Sequence, residues 1–174
     1  MQNDFNYLSD IFSEFFSNKH INNRLKLIHE EEISGWEVWL QIELALFLAN
    51  HPSEPECYRE MPLKFDRRRE FEKIHFRPDF LIRKKGWRIE NYAAVEIKQH
   101  PNPVSCIKNM LKDVEKVGKM KTSELNMRSL WVLGIFKADS ELDLDELFDE
   151  HVDSDTNIST YDFIGNTGFA YMLF

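Results

Sequence analysis

Apolar residues recur along this chain at two periods, and the places where the period changes mark its elements. Phe5, Leu8, Phe12 and Phe15 keep the three-to-four spacing of a helix with one buried face, as do Ile21, Leu25 and Ile28. Two short helices, Phe5–Phe16 and Ile21–Ile28, are therefore predicted as cover for a core. A third helix is predicted over Gly35–Asn50. Ser34 with Glu37 three residues on fits a capping box, and His51-Pro52 and Pro55 close the segment. Beyond it the period shortens. Tyr58–Phe65 and His75–Arg83 read as strands joined by the charged turn Asp66-Arg67-Arg68-Arg69-Glu70, and Gly86 marks the turn into a third strand, Asn91–Lys98. Asn102-Pro103 starts a helix, with Asn as N-cap and Pro at the first position, running to about Lys121. Ser129–Phe136 is an apolar run suited to a buried strand. Asp143–His151 reads as an acidic helix and Thr167–Phe174 as a last strand.

The order is α-β-β-β-α-β, followed by a helix and a strand. A helix between two buried apolar strands is a crossover, so the expected fold is α/β, a mixed sheet flanked by helices. A chain of 174 residues suits one domain spanning 1–174. Within it we expect an N-terminal helical extension over 1–33, the αβββαβ core over 34–136, and the acidic helix and final strand over 137–174.

Composition narrows the class. Hydrophobic residues make up 43% of the chain, with 14 Phe and 4 Trp, which is globular and not disordered. No apolar run approaches the roughly 20 residues of a membrane span. Met1-Gln2-Asn3-Asp4 has no basic region or signal core, so a cytoplasmic protein is expected. The two cysteines, Cys57 and Cys106, form no Cys-x-x-Cys and are expected to be reduced thiols. So few ligands argue against an iron–sulfur or structural zinc site.

Net charge is −8, which taken alone argues against a nucleic-acid partner. Its distribution changes that reading. Residues 59–128 carry 18 of the 22 Lys and Arg but only 10 of the 30 Asp and Glu, leaving the rest of the chain strongly acidic. A basic groove in an acidic body fits this asymmetry.

The basic block also carries the candidate chemistry. Ala93-Ala94-Val95-Glu96-Ile97-Lys98 ends an apolar run in Glu-x-Lys, and Pro78-Asp79 precedes the apolar Phe80-Leu81-Ile82. Strand side chains alternate, so Glu96 and Lys98 share a face. Two carboxylates can hold Mg²⁺, which takes oxygen ligands and keeps several waters. A lysine beside them can orient or help deprotonate a water, or offset phosphate charge. On the third helix, Glu43 falls among Trp36, Trp39, Leu40, Ile42, Leu46 and Phe47, inside the apolar arc, whereas Glu37 and Gln41 share a narrow polar strip. A carboxylate on an apolar face is costly unless it is paired or functional. Glu43 is therefore the expected helix-borne site acid, and capping is sufficient to explain Glu37.

Taken together, Gln41-Ile42-Glu43-Leu44-Ala45, Pro78-Asp79, Glu96-Ile97-Lys98 and the helix containing Asp113-Val114-Glu115-Lys116 resemble the PD-(D/E)xK nuclease superfamily, the restriction-endonuclease-like fold. The resemblance covers roughly the middle half of the chain. It implies an αβββαβ nuclease core, one or two Mg²⁺ or Mn²⁺ ions, and endonuclease-type hydrolysis of DNA or, less often, RNA. Asp79 and Glu96 would hold metal, with Glu43 as a direct or water-mediated ligand and the Ile97 carbonyl as a further one. Lys98 would act on the attacking water, making Glu43, Asp79, Glu96 and Lys98 the catalytic set. Either short motif alone is common by chance, an exposed Glu/Lys ion pair being the plain alternative. Their joint order is what carries weight.

Lys108, Lys112, Lys116 and Lys119 form one basic stripe on the following helix, a candidate nucleic-acid contact or simply a solvated face. Arg67, Arg68 and Arg69 read as an exposed turn, and His29, His75 and His100 lack metal-ligand spacing. Two rival readings stand beside the metal-dependent nuclease. One is a non-cleaving module on the same fold, regulating a protein or nucleic-acid partner. The acidic run Asp139, Glu141, Asp143, Asp145, Glu146, Asp149 and Glu150 suits a protein partner or a second copy of the chain. The other is an unrelated α/β interaction domain, which follows if Glu43 and the sheet acids never meet.

Overall fold

The computed structural model describes residues 1–62, 77–89, 91–118, 126–152 and 158–174. The expected Asp66–Glu70 turn with Arg67, Arg68 and Arg69, and also His75 and Lys119, lie outside the described residues. Three helices come first: α1 (Gln2–Ser17), α2 (Lys19–Glu30) and α3 (Glu37–Ala49). Strands β1 (Glu56–Arg59), β2 (Phe80–Arg83) and β3 (Asn91–Gln99) follow. Helix α4 (Pro103–Gly118) then leads to β4 (Asn126–Lys137), α5 (Leu144–His151), β5 (Thr160–Phe163) and β6 (Phe169–Leu173).

The strands form a mixed six-stranded sheet in the order β1-β2-β3-β4-β6-β5. Only β3 and β4 pair in parallel, Glu96 opposite Val132 and Lys98 opposite Gly134, and α4 is their crossover. The remaining neighbours are antiparallel. The α/β class and the flanking helices thus stand as expected. Strand β5 is an addition, a short edge strand with mixed burial that offers no clear period. Strand β1 begins two residues earlier than predicted.

Helices cover both faces. On one, Phe80, Ile82, Ala93, Val95, Ile97, Leu133 and Tyr171 pack under α1, α2 and α3. On the other, Val132, Phe136, Ala170 and Met172 meet Cys106, Ile107 and Met110 of α4 and Leu147 of α5. With both faces covered, β3 is apolar on both, hence its unbroken run from Tyr92 to Val95. Helix α4 lies very close to the sheet at Gly134, where an added Cβ would stand 2.3 Å from the Met110 sulfur and 3.2 Å from that of Cys106.

A buried carboxylate pins α1 to this framework. Asp4, 1% exposed, accepts from Arg128 Nη2 at 2.7 Å and Nε at 3.0 Å, and from Ser129 Oγ at 3.1 Å. Burial alone would raise its pKa, but these donors outweigh it and hold the carboxyl below its ordinary value. Arg128 in turn lies over the Trp87 ring, 4.4 Å from its centroid. No described helix is long and apolar enough to cross a membrane.

Candidate active site

The site forms where β2 begins and β3 ends. Pairing of β2 with β3 stops at Phe80 opposite Val95, and among the described residues no strand pairs with that edge of β3 beyond this point. Asp79, the residue just before β2, sets its side chain against that edge. Its Oδ2 accepts from the Ile97 backbone N–H at 2.7 Å, replacing a ladder bond. The N–H and C=O of one strand residue point to the same side, so the Ile97 carbonyl faces the same edge. The Ile97 side chain packs in the core on the α1–α3 face, while Glu96 and Lys98 take the opposite face.

Glu96 is 9% exposed. Its pKa is pushed up to about 8, first by burial and next by the Asp79 charge beside it. Lys98 stands 3.8 Å from Glu96 and 2.7 Å from Asp113 Oδ2 on α4. Burial works against its ammonium, yet Asp113, then Glu96 and Asp79, more than offset that and raise its pKa. Lys98 therefore stands as a cation between three acids. Asp79, Glu96 and Lys98, assembled from separate sequence motifs, do come together.

Glu43 does not join them. On a helix at 100° per residue, Glu37 and Gln41 lie 40° apart, while Glu43 lies on the far side of α3. It accepts from Trp39 Nε1 at 3.1 Å and pairs with His20 at 3.5 Å, lining a cavity of about 310 Å³ with Glu14, His51 and Phe47. The helix-borne acid facing the sheet is Glu37. Its pKa is raised by burial first and by the Asp79 charge second, against Lys98 and a hydrogen bond from the Gln99 backbone. The expected capping box does not form: Trp36 is the N-cap residue and makes no side-chain cap. One turn on, Gln41 is 4% exposed and donates from Nε2 to Asp79 Oδ1 at 2.9 Å, while its Oε1 accepts from Arg59 Nη2 at 3.0 Å. The reasoning from sequence missed Glu37, Gln41, Arg59 and Asp113 as site residues. The signal for the first two was present as the polar strip on an otherwise apolar helix.

Among the described residues, no three His, Cys, Asp or Glu side chains stand together as a ready metal cage. The donor set still suits a hard divalent cation. Mg²⁺ is held through one or two carboxylates and keeps several waters. Asp79 and Glu96 supply two, and their like charges, forced together with little solvent, are what a cation would relieve. Lys108, Lys112 and Lys116 are exposed on α4. Cys57 and Cys106 are both free thiols.

No protein-family model, curated protein or solved structure matches the chain. Fold and site together define an α/β protein with a carboxylate–lysine cluster at the C-terminal end of its central strand.

Proposed function

We propose that this chain is a metal-dependent nuclease of the PD-(D/E)xK type, hydrolysing phosphodiester bonds in DNA or, as second candidate, RNA. The observation that carries the reading is the seating of Asp79 on the Ile97 N–H, next to Glu96 in β3, with Lys98 3.8 Å from Glu96 on the same face. Asp79, Glu96 and the Ile97 carbonyl would hold Mg²⁺ or Mn²⁺, with Glu37 replacing Glu43 as the helix-borne acid. The ion, when bound, supplies an activated water and a counter-charge for the phosphate. Lys98, kept protonated by its acidic neighbours, would orient a water at the site and balance charge on the attacked phosphate, and would not be the base. Glu37, its pKa raised, is placed to take or return a proton at the mouth of the site. The exposed lysines of α4 would contact phosphates without reading sequence.

The test is single-turnover cleavage of duplex DNA, single-stranded DNA and RNA in Mg²⁺ and in Mn²⁺, with Lys98→Ala alongside. Lys98→Ala should lower the cleavage rate by roughly 100-fold or more and leave substrate binding in Ca²⁺ near wild type. If the wild-type chain cleaves none of these in either metal, the reading gives way to a non-cleaving module. If Lys98→Ala loses only binding, Lys98 is a phosphate contact and not part of the cleavage machinery.

A further inference from the structure

A buried glutamine amide is seldom placed by chance, because each polar end left unpaired costs about 1–3 kcal/mol. Gln41 has both ends engaged, and by partners of opposite kind. Arg59 has only donors, so the oxygen of Gln41 must face it. Asp79, as a carboxylate, has only acceptors, so the NH₂ group must face Asp79. The direction of the amide is therefore set by Arg59, the last residue of the edge strand β1, and it is passed to Asp79. With Oδ2 held by the Ile97 N–H at 2.7 Å and Oδ1 by Gln41 at 2.9 Å, the plane of the Asp79 carboxylate is fixed from both sides.

We propose that Arg59 is a positioning residue for the metal site, acting through Gln41 to hold the Asp79 carboxylate in its binding orientation. The inference rests on the metal-dependent reading of the site and deepens it. The guanidinium is itself anchored. Arg59 pairs with Phe80 across the β1–β2 ladder, and its guanidinium carbon lies 5.9 Å from the centroid of that ring. Phe80 adjoins Asp79 in the chain, so the residue that carries the carboxylate and the residue that steers it are tied at one point of the sheet. The contact is a single hydrogen bond from Arg59 Nη2 to Gln41 Oε1 at 3.0 Å. Without Arg59 the Gln41 oxygen loses its donor and the amide one of its two anchors, so its N–H no longer holds Asp79 Oδ1 in one place. Gln41 is one shell out from the proposed ligand Asp79, where changes typically alter metal affinity by roughly 10–100-fold, and Arg59, a shell further, acts only through it.

The experiment is titration of Mn²⁺ into the full chain by calorimetry, without nucleic acid, for wild type, Arg59→Met, Gln41→Leu and the double variant. Arg59→Met keeps the apolar stem and removes the donor, and Gln41→Leu keeps volume and removes both polar ends. Each single change should weaken Mn²⁺ by roughly 10–100-fold, and the double variant should be no weaker than Gln41→Leu alone. Additive losses would overturn the relay, because Arg59 would then act without Gln41. Wild-type affinity in Arg59→Met would overturn it as well. A wild-type chain that binds no Mn²⁺ removes the metal reading, and the relay with it, whereas binding without cleavage leaves the relay to be judged on the variants. Should the variants fail to fold, the wild-type chain suffices. The Gln41 side-chain amide protons should exchange with solvent far more slowly than those of the exposed Asn3. Exchange as fast as that of Asn3 would refute a held amide.

Discussion

Glu96 couples the stability of the fold to pH across the neutral range. Its folded-state pKa of about 8 lies well above the ordinary 4.5, so folding takes up a proton in between. Below the ordinary value both states are protonated and the group has no effect. As pH rises from there to about 8 the folded state loses stability, and above that value the loss is complete. Glu96→Gln should therefore raise the melting temperature of metal-free protein at pH 8, by about 2 kcal/mol or a few degrees, and the gain should vanish near pH 4. Melting curves in chelator across that range decide it. A gain that is the same at every pH would show that the charge of Glu96 is not the cause. Asp79, Glu96 and Lys98 were legible in the sequence because strand alternation forces Glu96 and Lys98 onto one face and a short strand start offers Asp79 to its neighbour. Glu37 was not, because a helical wheel points to a site only where apolar means inward. Helix α3 is apolar nearly all round, with Val38 60%, Ile42 45% and Leu46 56% exposed while Gln41 is buried. On such a helix a lone acid among apolar residues carries no direction, and the two polar residues four apart mark the face that meets the site.

At the scale of elements, the β3–α4–β4 crossover was the most secure part of the fold to read, since two unbroken apolar strands around an amphipathic helix admit few other arrangements. The four-residue β5 was missed because its burial comes from its partner β6 and not from a period of its own. The crossover also sets the chemistry, since Asp113 reaches Lys98 only while α4 lies hard against the sheet at Gly134. Gly134→Val should wedge the helix outward, costing about 1–3 kcal/mol as overpacked cores do. It should also slow cleavage by separating Asp113 from Lys98. An unchanged urea midpoint would mean that Met110 and Cys106 give way and α4 does not need this close seat.

Over the whole molecule, charge is divided between a basic middle and acidic ends, and the net −8 would repel a polyanion that met any other side. The exposed lysines of α4 are then the expected landing surface. Replacing Lys108 and Lys112 by Gln should weaken binding to all sequences alike and lower the slope of log K against log salt by roughly two units on duplex DNA. The rate of cleavage once bound should stay near wild type. A slope equal to wild type would place the nucleic acid on another face.

The crowded Asp79–Glu96 pair has a consequence for how such a chain would change over generations. The Glu96 carboxyl opposes the fold it sits in, because burial and the neighbouring Asp79 charge both work against its ionised form. If the chain is the nuclease proposed, a lineage no longer selected for cleavage would gain stability at once by replacing Glu96, whereas replacing Asp79 would strand the Ile97 N–H and the Gln41 amide. Loss of activity would thus begin at the pair itself and leave the sheet, the crossover and the Asp4–Arg128 clasp unchanged. A silent descendant of this protein should be recognisable as a sturdier copy of it with a neutral residue where Glu96 now stands.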